Sequence, residues 1–403
     1  ILISRIGHLE AGSSPNRCGP EFPPMKLTPH WTPRVLVSLL LAGALHACDA
    51  PRVGRPAIGT VVGYSLNDAV RLAVADDSVQ YGSVVADTVL NGEPNSRAAT
   101  SIAVATQLVK RPGVVAVIGH MNSSASLAAA QTYNDAAVVQ MAPTSTSELY
   151  GKAGAFSYRM VPSDAEQGPA LAQTIARGFA RGTRVAVMYV NDDYGRGLRS
   201  SFRRALDTLA YPLVAELPHL DGQERGTSVN ADVAPVAAAR PQVIVWIGRP
   251  TTLHAVLPSI RRDLGDVTVL GSDATTAWTV RGNGDGVLTG VQYVDFLDLN
   301  ATPDLRAFAD RFAARFGYSP GAAEVLTYDA ARLLLRAIRD GAESGEALRQ
   351  WLDGLGRERP AFVGVSGSVT FTADGDMQRP LVVRTIPAPD DSLRARASQG
   401  RRP

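Results

Sequence analysis

The sequence predicts an α/β fold of doubly wound parallel sheets, arranged as two similar lobes. Val- and Ile-rich runs of strand length alternate with longer amphipathic stretches, the pattern of parallel strands covered by helices on both faces. The alternation continues through most of the 403 residues, which suits two cores better than one very large sheet. Composition agrees. With 45% of residues hydrophobic and 19% charged, a disordered or fibrous chain is excluded. A formal net charge of +2 gives no electrostatic mandate for nucleic-acid binding. Two cysteines cannot build a disulfide scaffold.

Met25 is read as the start of translation and residues 1–24 as upstream sequence. Lys26 and Arg34 precede or open the apolar run VLVSLLLAGALHA at 35–47. That run falls short of the roughly 20 helical residues that span a bilayer and suits a signal-peptide core. It ends in Leu45-His46-Ala47-Cys48, which resembles a bacterial lipobox. Cys48 is therefore the expected site of lipid attachment, with an ordinary signal peptide or an uncleaved anchor helix as the competing readings. Loss of residues 1–47 removes Arg5, Arg17, Lys26 and Arg34 against Glu10 and Glu21, leaving the remainder formally neutral. Residues 48–60, rich in Pro, Gly and Arg, read as a tether.

Strands are predicted at 82–89, 114–119, 138–141, 184–190, 242–248, 267–271 and 291–296. Helices are predicted at 95–110, 124–135, 166–180, 195–209, 229–239, 251–263, 303–316 and 321–339. Near the end, residues 364–386 hold two short strands around the turn Asp374-Gly375-Asp376. In such sheets a ligand sits at the carboxyl ends of the strands.

The most informative segment is VIGHMNSSASLAAAQTYNDAAVVQMAPTSTSELY, 117–150. Asn122, Ser123 and Ser124 fall at a helix N-terminus, where unpaired backbone N–H groups and the helix dipole favour a carboxylate. Thr144, Ser145 and Thr146 follow the next strand, so both hydroxyl clusters are expected at one sheet edge. Taken alone, either cluster reads first as ordinary capping and turn chemistry.

Together with its neighbours, this segment resembles the type I periplasmic binding proteins of the leucine/isoleucine/valine-binding family. The resemblance continues through SYRMVPSDAEQGPALA (157–172), RVAVMYVNDDYGRGL (184–198), VIVWIGRPTTL (243–253), VLGSDATT (269–276) and FVGVSGSVTFTADGD (362–376). It implies two lobes joined by three hinge crossovers near 162–166, 293–297 and 361–366. Lobe I then comprises 61–164 and 295–363, lobe II comprises 165–294 and 364–388, and 389–403 forms a disordered tail. By position, Ser123 and Thr146 match groups that bind a ligand α-carboxylate, helped by backbone amides around Ser124. Thr144 matches a position whose main-chain carbonyl accepts from the ligand ammonium. Asp273 matches the acidic residue that pairs with that ammonium, and Tyr194 an aromatic that closes over the ligand from the same lobe. Arg249 stands where many members carry an aromatic or small residue, which leaves open a positive charge in the cleft or a solvated surface arginine. The first strand, in PRVGRPAIGTVVGYSLNDAV (51–70), reads as short and interrupted, with Gly63-Tyr64 matching the ligand loop that follows it.

Catalysis has no constellation to support it. His120, His219 and His254 lack metal-ligand spacing, and no nucleophile elbow, P-loop or intact dinucleotide fingerprint occurs. Gly282-Asn283-Gly284-Asp285-Gly286 reads as a loop and Asp374-Gly375-Asp376 as a turn, not a calcium site. The expectation is a monomeric, cofactor-free, lipid-anchored extracytoplasmic receptor that presents an amino acid or related compound to an ABC permease. The alternative is a lipoprotein of the same fold that binds a protein partner, as a peptidoglycan-synthase activator does.

Overall fold

A computed structural model describes residues 55–91, 98–220, 233–275 and 285–389. Cys48, the leader and the 390–403 part of the tail lie outside these, as does most of the glycine-rich stretch at 282–286.

The first sheet has five parallel strands in the order β2-β1-β3-β4-β5: β1 Ala57–Val61, β2 Asp87–Asn91, β3 Val114–Gly119, β4 Val139–Ala142 and β5 Ser157–Arg159. Helices α1 (Tyr64–Tyr81), α2 (Ala98–Val109) and α3 (Ser123–Asp135) connect the first four. The second sheet repeats the plan with β6 Val185–Val190, β7 Leu213–His219, β8 Val243–Ile247, β9 Thr268–Gly271 and β10 Gln292–Asp295, in the order β10-β9-β8-β6-β7. Its helices are α4 (Asp164–Gly178), α5 (Asp193–Thr208), α6 (Ala234–Ala238) and α7 (Pro250–Leu264). The chain then returns to the first lobe as α8 (Pro303–Phe316), α9 (Ala322–Arg339), α10 (Gly345–Asp353) and the hairpin β11 Phe362–Gly364 and β12 Gly367–Val369. A final strand, β13 Val382–Thr385, joins the second sheet antiparallel to β10.

Alternation along each strand divides the core into layers. In β6 and β8, Val185, Val187, Val243 and Val245 join an apolar cluster with α4 and α5, while Ala186, Met188, Ile244 and Trp246 join another with α6 and α7. Both strand faces are buried, which is why these segments read as continuous apolar runs. In the first lobe, Ile58, Val115 and Ile118 pack toward Phe308 and Phe312, and Val61 and Val117 pack toward Leu108 and Tyr133.

The structure corrects the sequence reading in four places. The first strand is intact: Ala57–Val61 is fully buried between β2 and β3, and residues 57–60 belong to it and not to a tether. Its two unpromising residues have local reasons. A Cβ on Gly59 would stand 3.2 Å from Leu108 and Val117, and the Thr60 hydroxyl donates to Asn67 Oδ1 at 3.1 Å. The predicted strand at 82–89 begins later, at Asp87, because Gly82 ends α1 in the left-handed region at φ 74°. Strand β7 and helices α1 and α10 were not anticipated. The third crossing follows Met377, not 361–366: Val369, Phe371 and Met377 still lie in the first lobe's core, and Leu381 packs on clusters of both lobes.

Helices α4 and α5 approach closely at Gly168, where a Cβ would stand 2.6 Å from the Phe202 backbone nitrogen. Gly168→Val is expected to force them apart at a cost of about 1–3 kcal/mol or more, as overpacking does, read from chemical denaturation against wild type.

Candidate functional site

Parallel strands deliver their following loops to one edge of each sheet, and the polar clusters lie there. After β3, Asn122 caps α3 by accepting from the Ala125 N–H at 2.9 Å, which sets Ser123 and Ser124 in the first turn. Ser123 is 2% exposed, and its Oγ accepts from the Ser147 N–H at 3.2 Å. Its own proton thus remains available to an acceptor. After β4, Ser145, Thr146 and Ser147 are buried. Thr146 Oγ has no hydrogen bond among the described residues, a state that costs a buried hydroxyl roughly 1–3 kcal/mol. The Thr144 hydroxyl donates to the Met121 carbonyl at 2.5 Å, and the Gly63 N–H donates to Met121 Sδ at 3.0 Å. The loops after β1, β3 and β4 are therefore linked. Tyr64 opens α1, and its side chain lies outside the described residues.

The second lobe brings the acids. Tyr194, in the first turn of α5, donates its hydroxyl to Asp273 Oδ1 at 2.5 Å and stands 2.7 Å from Ser272 Oγ. Tyr194 is thus tied to the acid through its hydroxyl as well as presenting a ring. The Asp273 backbone N–H donates to Gln167 Oε1 at 2.9 Å, and Gln167 Nε2 donates to Asp164 Oδ1 at 3.2 Å. The Asp164 N–H donates to the Thr146 carbonyl at 2.8 Å, across the first crossing. Ser124 Oγ accepts from the Asp193 N–H at 3.2 Å, so its hydroxyl links the lobes. At the rim, exposed Arg204 pairs with Glu148 at 2.8 Å. Arg249 precedes α7 at the same sheet edge and is exposed, outside the buried cluster.

Asp164, Asp273 and Asp295 are all buried on this side. Burial pushes the Asp164 carboxyl up and Asp273 adds to the rise, while Arg159 holds it back. Burial likewise raises Asp273, against the hydrogen bonds from Tyr194 and the link to Gln167. Asp295, in the second crossing, is pushed up to about 7 by burial despite Arg384 at 3.6 Å. Asp273 contributes to that rise as well. Hydroxyl and amide donors on one lobe thus face carboxylates on the other, and uncompensated buried charge is costly.

Sequence reasoning missed Asp164, Gln167 and Ser147. An acid in a first helical turn is ordinary helix chemistry, so only the spacing Ser163-Asp164-x-x-Gln167 at a predicted crossing was available as a signal. Among the described residues no group of three or more His, Cys, Asp or Glu side chains has metal-binding geometry. No described helix is long and apolar enough to cross a membrane.

The fold is that of a two-lobed solute-binding protein. The chain belongs to the periplasmic binding protein family, whose profile matches residues 63–391. An amino acid binding protein of Pseudomonas aeruginosa is 28% identical over 62% of this chain and 67% of its own length. The Leu/Ile/Val-binding protein BraC3 of Rhizobium johnstonii is 24% identical over 86% of this chain and 93% of its own. Among solved structures, the leucine binding protein LivK of Thermotoga maritima superposes with a TM-score of 0.73 at 21% identity, covering 83% of this chain and 96% of that one.

A carboxyl raised above its unfolded pKa of 3.8 binds more protons folded than unfolded. Its contribution to stability is therefore present at low pH and declines as pH rises from about 4 to 7. Asp295→Asn should gain stability relative to wild type across that interval and hold the difference above it, as thermal melts of both proteins at pH 4.5, 6 and 7.5 will register.

Proposed function

We propose that this chain is the extracytoplasmic receptor of an ABC importer for an amino acid or a related small polar zwitterion. The observation that carries the proposal is the burial of Ser123 and Thr146 on one lobe opposite the Tyr194–Asp273 pair on the other. The ligand docks first on the first lobe, its carboxylate taking the Ser123 and Thr146 hydroxyls and nearby amides. Hinge closure then brings Asp273 and Tyr194 to the ammonium, with Gln167 holding Asp273 in place. The Thr144 carbonyl is the further acceptor assigned to the ammonium. The closed form, marked by the Asp193–Ser124 bond, is what the permease engages. Amino-acid-binding relatives support the ligand class, and the family supports a location outside the cytoplasm. Anchoring through a lipid on Cys48 completes the reading.

Calorimetry against the twenty L-amino acids and small amides tests it. Asp273→Ala should weaken the tightest amino acid by at least tenfold, since hydrogen bonds to charged groups contribute about 1.5–3 kcal/mol. Silence across the panel, with retention of a cell-wall synthase, would replace the receptor reading with the protein-binding one. For the anchor, Cys48→Ser should abolish incorporation of labelled fatty acid and release the protein from membranes.

A further inference from the structure

The turn Asp374-Gly375-Asp376 lies against β5. Gly375 has φ 71° and its carbonyl accepts from the Arg159 N–H at 3.0 Å; a side chain there would collide with the Ser157 carbonyl. Thr372 Oγ accepts from the Asp374 and Asp376 N–H groups at 3.3 and 3.2 Å, which orders the turn. Asp376 then meets the Arg159 guanidinium in a bidentate pair, Nε to Oδ1 at 2.6 Å and Nη2 to Oδ2 at 2.7 Å. The Arg159 side chain is 1% exposed. Its remaining nitrogen, Nη1, donates to the Ser147 carbonyl at 2.8 Å and reaches the Ser145 carbonyl at 3.5 Å. The carbonyl between them, on Thr146, is taken by the Asp164 N–H.

All three carbonyls of the Ser145–Ser147 turn are therefore held, two of them by one buried arginine. The Thr146 carbonyl shares its peptide plane with the Ser147 N–H that meets Ser123, while Arg159 holds the planes on either side, Ser145–Thr146 and Ser147–Glu148, and so the backbone that carries the Thr146 hydroxyl. A planar guanidinium with both carboxylate oxygens engaged has little freedom to rotate. Buried ion pairs contribute little net stability compared with apolar packing, so the distinctive contribution of this pair is orientation. We propose that Asp376, acting through Arg159, is a positioning residue for recognition of the ligand carboxylate, so that the segment entering the third crossing sets the turn that reads it. This rests on the receptor reading above.

The test separates positioning from stability by the discrimination between an amino acid and its carboxamide. Affinities are measured by calorimetry for the L-amino acids that wild type binds and for their carboxamides, in wild type and Asp376→Asn. The variant should lose at least tenfold for the amino acid and under threefold for the carboxamide, so the ratio of the two affinities falls. Equal losses for both would make the pair structural only and overturn the proposal, as would a wild type that binds acid and carboxamide alike. If Asp376→Asn does not fold, Asp376→Glu, which keeps the charge and displaces it by one methylene, reads the same ratio. A wild type that binds no amino acid fails the receptor reading itself, and this proposal falls with it before any variant is made.

Discussion

Burial of parallel strands on both faces is the constraint on which the rest of this molecule depends. Val185 and Ala186 turn to different apolar layers, as do Val243 and Ile244, so the middle of each sheet has no place for polar chemistry. Groups that must meet a polar solute are driven to the strand ends, where loops expose peptide N–H groups and helices begin. Each sheet has the same strand order from its first five strands. Each last parallel strand, β5 and β10, leads straight out to the other lobe. The site and the hinges are therefore produced by one topological rule applied twice.

Electrostatics gives the two sides their different characters. The first lobe contributes hydroxyls and amides and keeps its buried arginine engaged with Asp376. The second gathers Asp164 and Asp273 around Gln167, with Asp295 near enough to Asp273 to feel its charge. Three buried acids, answered by Arg384 at 3.6 Å from Asp295 and by Arg159 acting on Asp164, leave this wall short of positive charge. On the receptor reading, a ligand ammonium supplies it.

Much of the fold was legible because buried parallel strands write themselves as Val/Ile runs, as in VVAVIG and QVIVWIG. The first strand was misjudged because Gly59 and Thr60 break that signature, yet each answers to a neighbour invisible in the sequence: Leu108 and Val117 for the glycine, Asn67 for the threonine. At the site, Ser123, Thr146, Tyr194 and Asp273 were assigned through the resemblance of their segments to the family, and all four are buried. Asp164 and Gln167 were hidden because a polar first helical turn is unremarked in almost any sequence. Arg159 and Asp376 are separated by 217 positions, and no local pattern relates them; only the docking of the Gly375 turn on β5 does.

The late strand β13 has a consequence for how the chain must be made. It pairs antiparallel with β10 after the chain has already gone back to build α8, α9 and α10. Until residues 382–385 arrive, the second sheet presents β10 as an uncovered parallel edge, the kind of surface on which chains pair with strangers. Neither lobe is a contiguous stretch of sequence, so neither can finish while the other is unmade. The second sheet's edge is thus closed only by residues 382–385, after the first lobe's core has been completed through Met377.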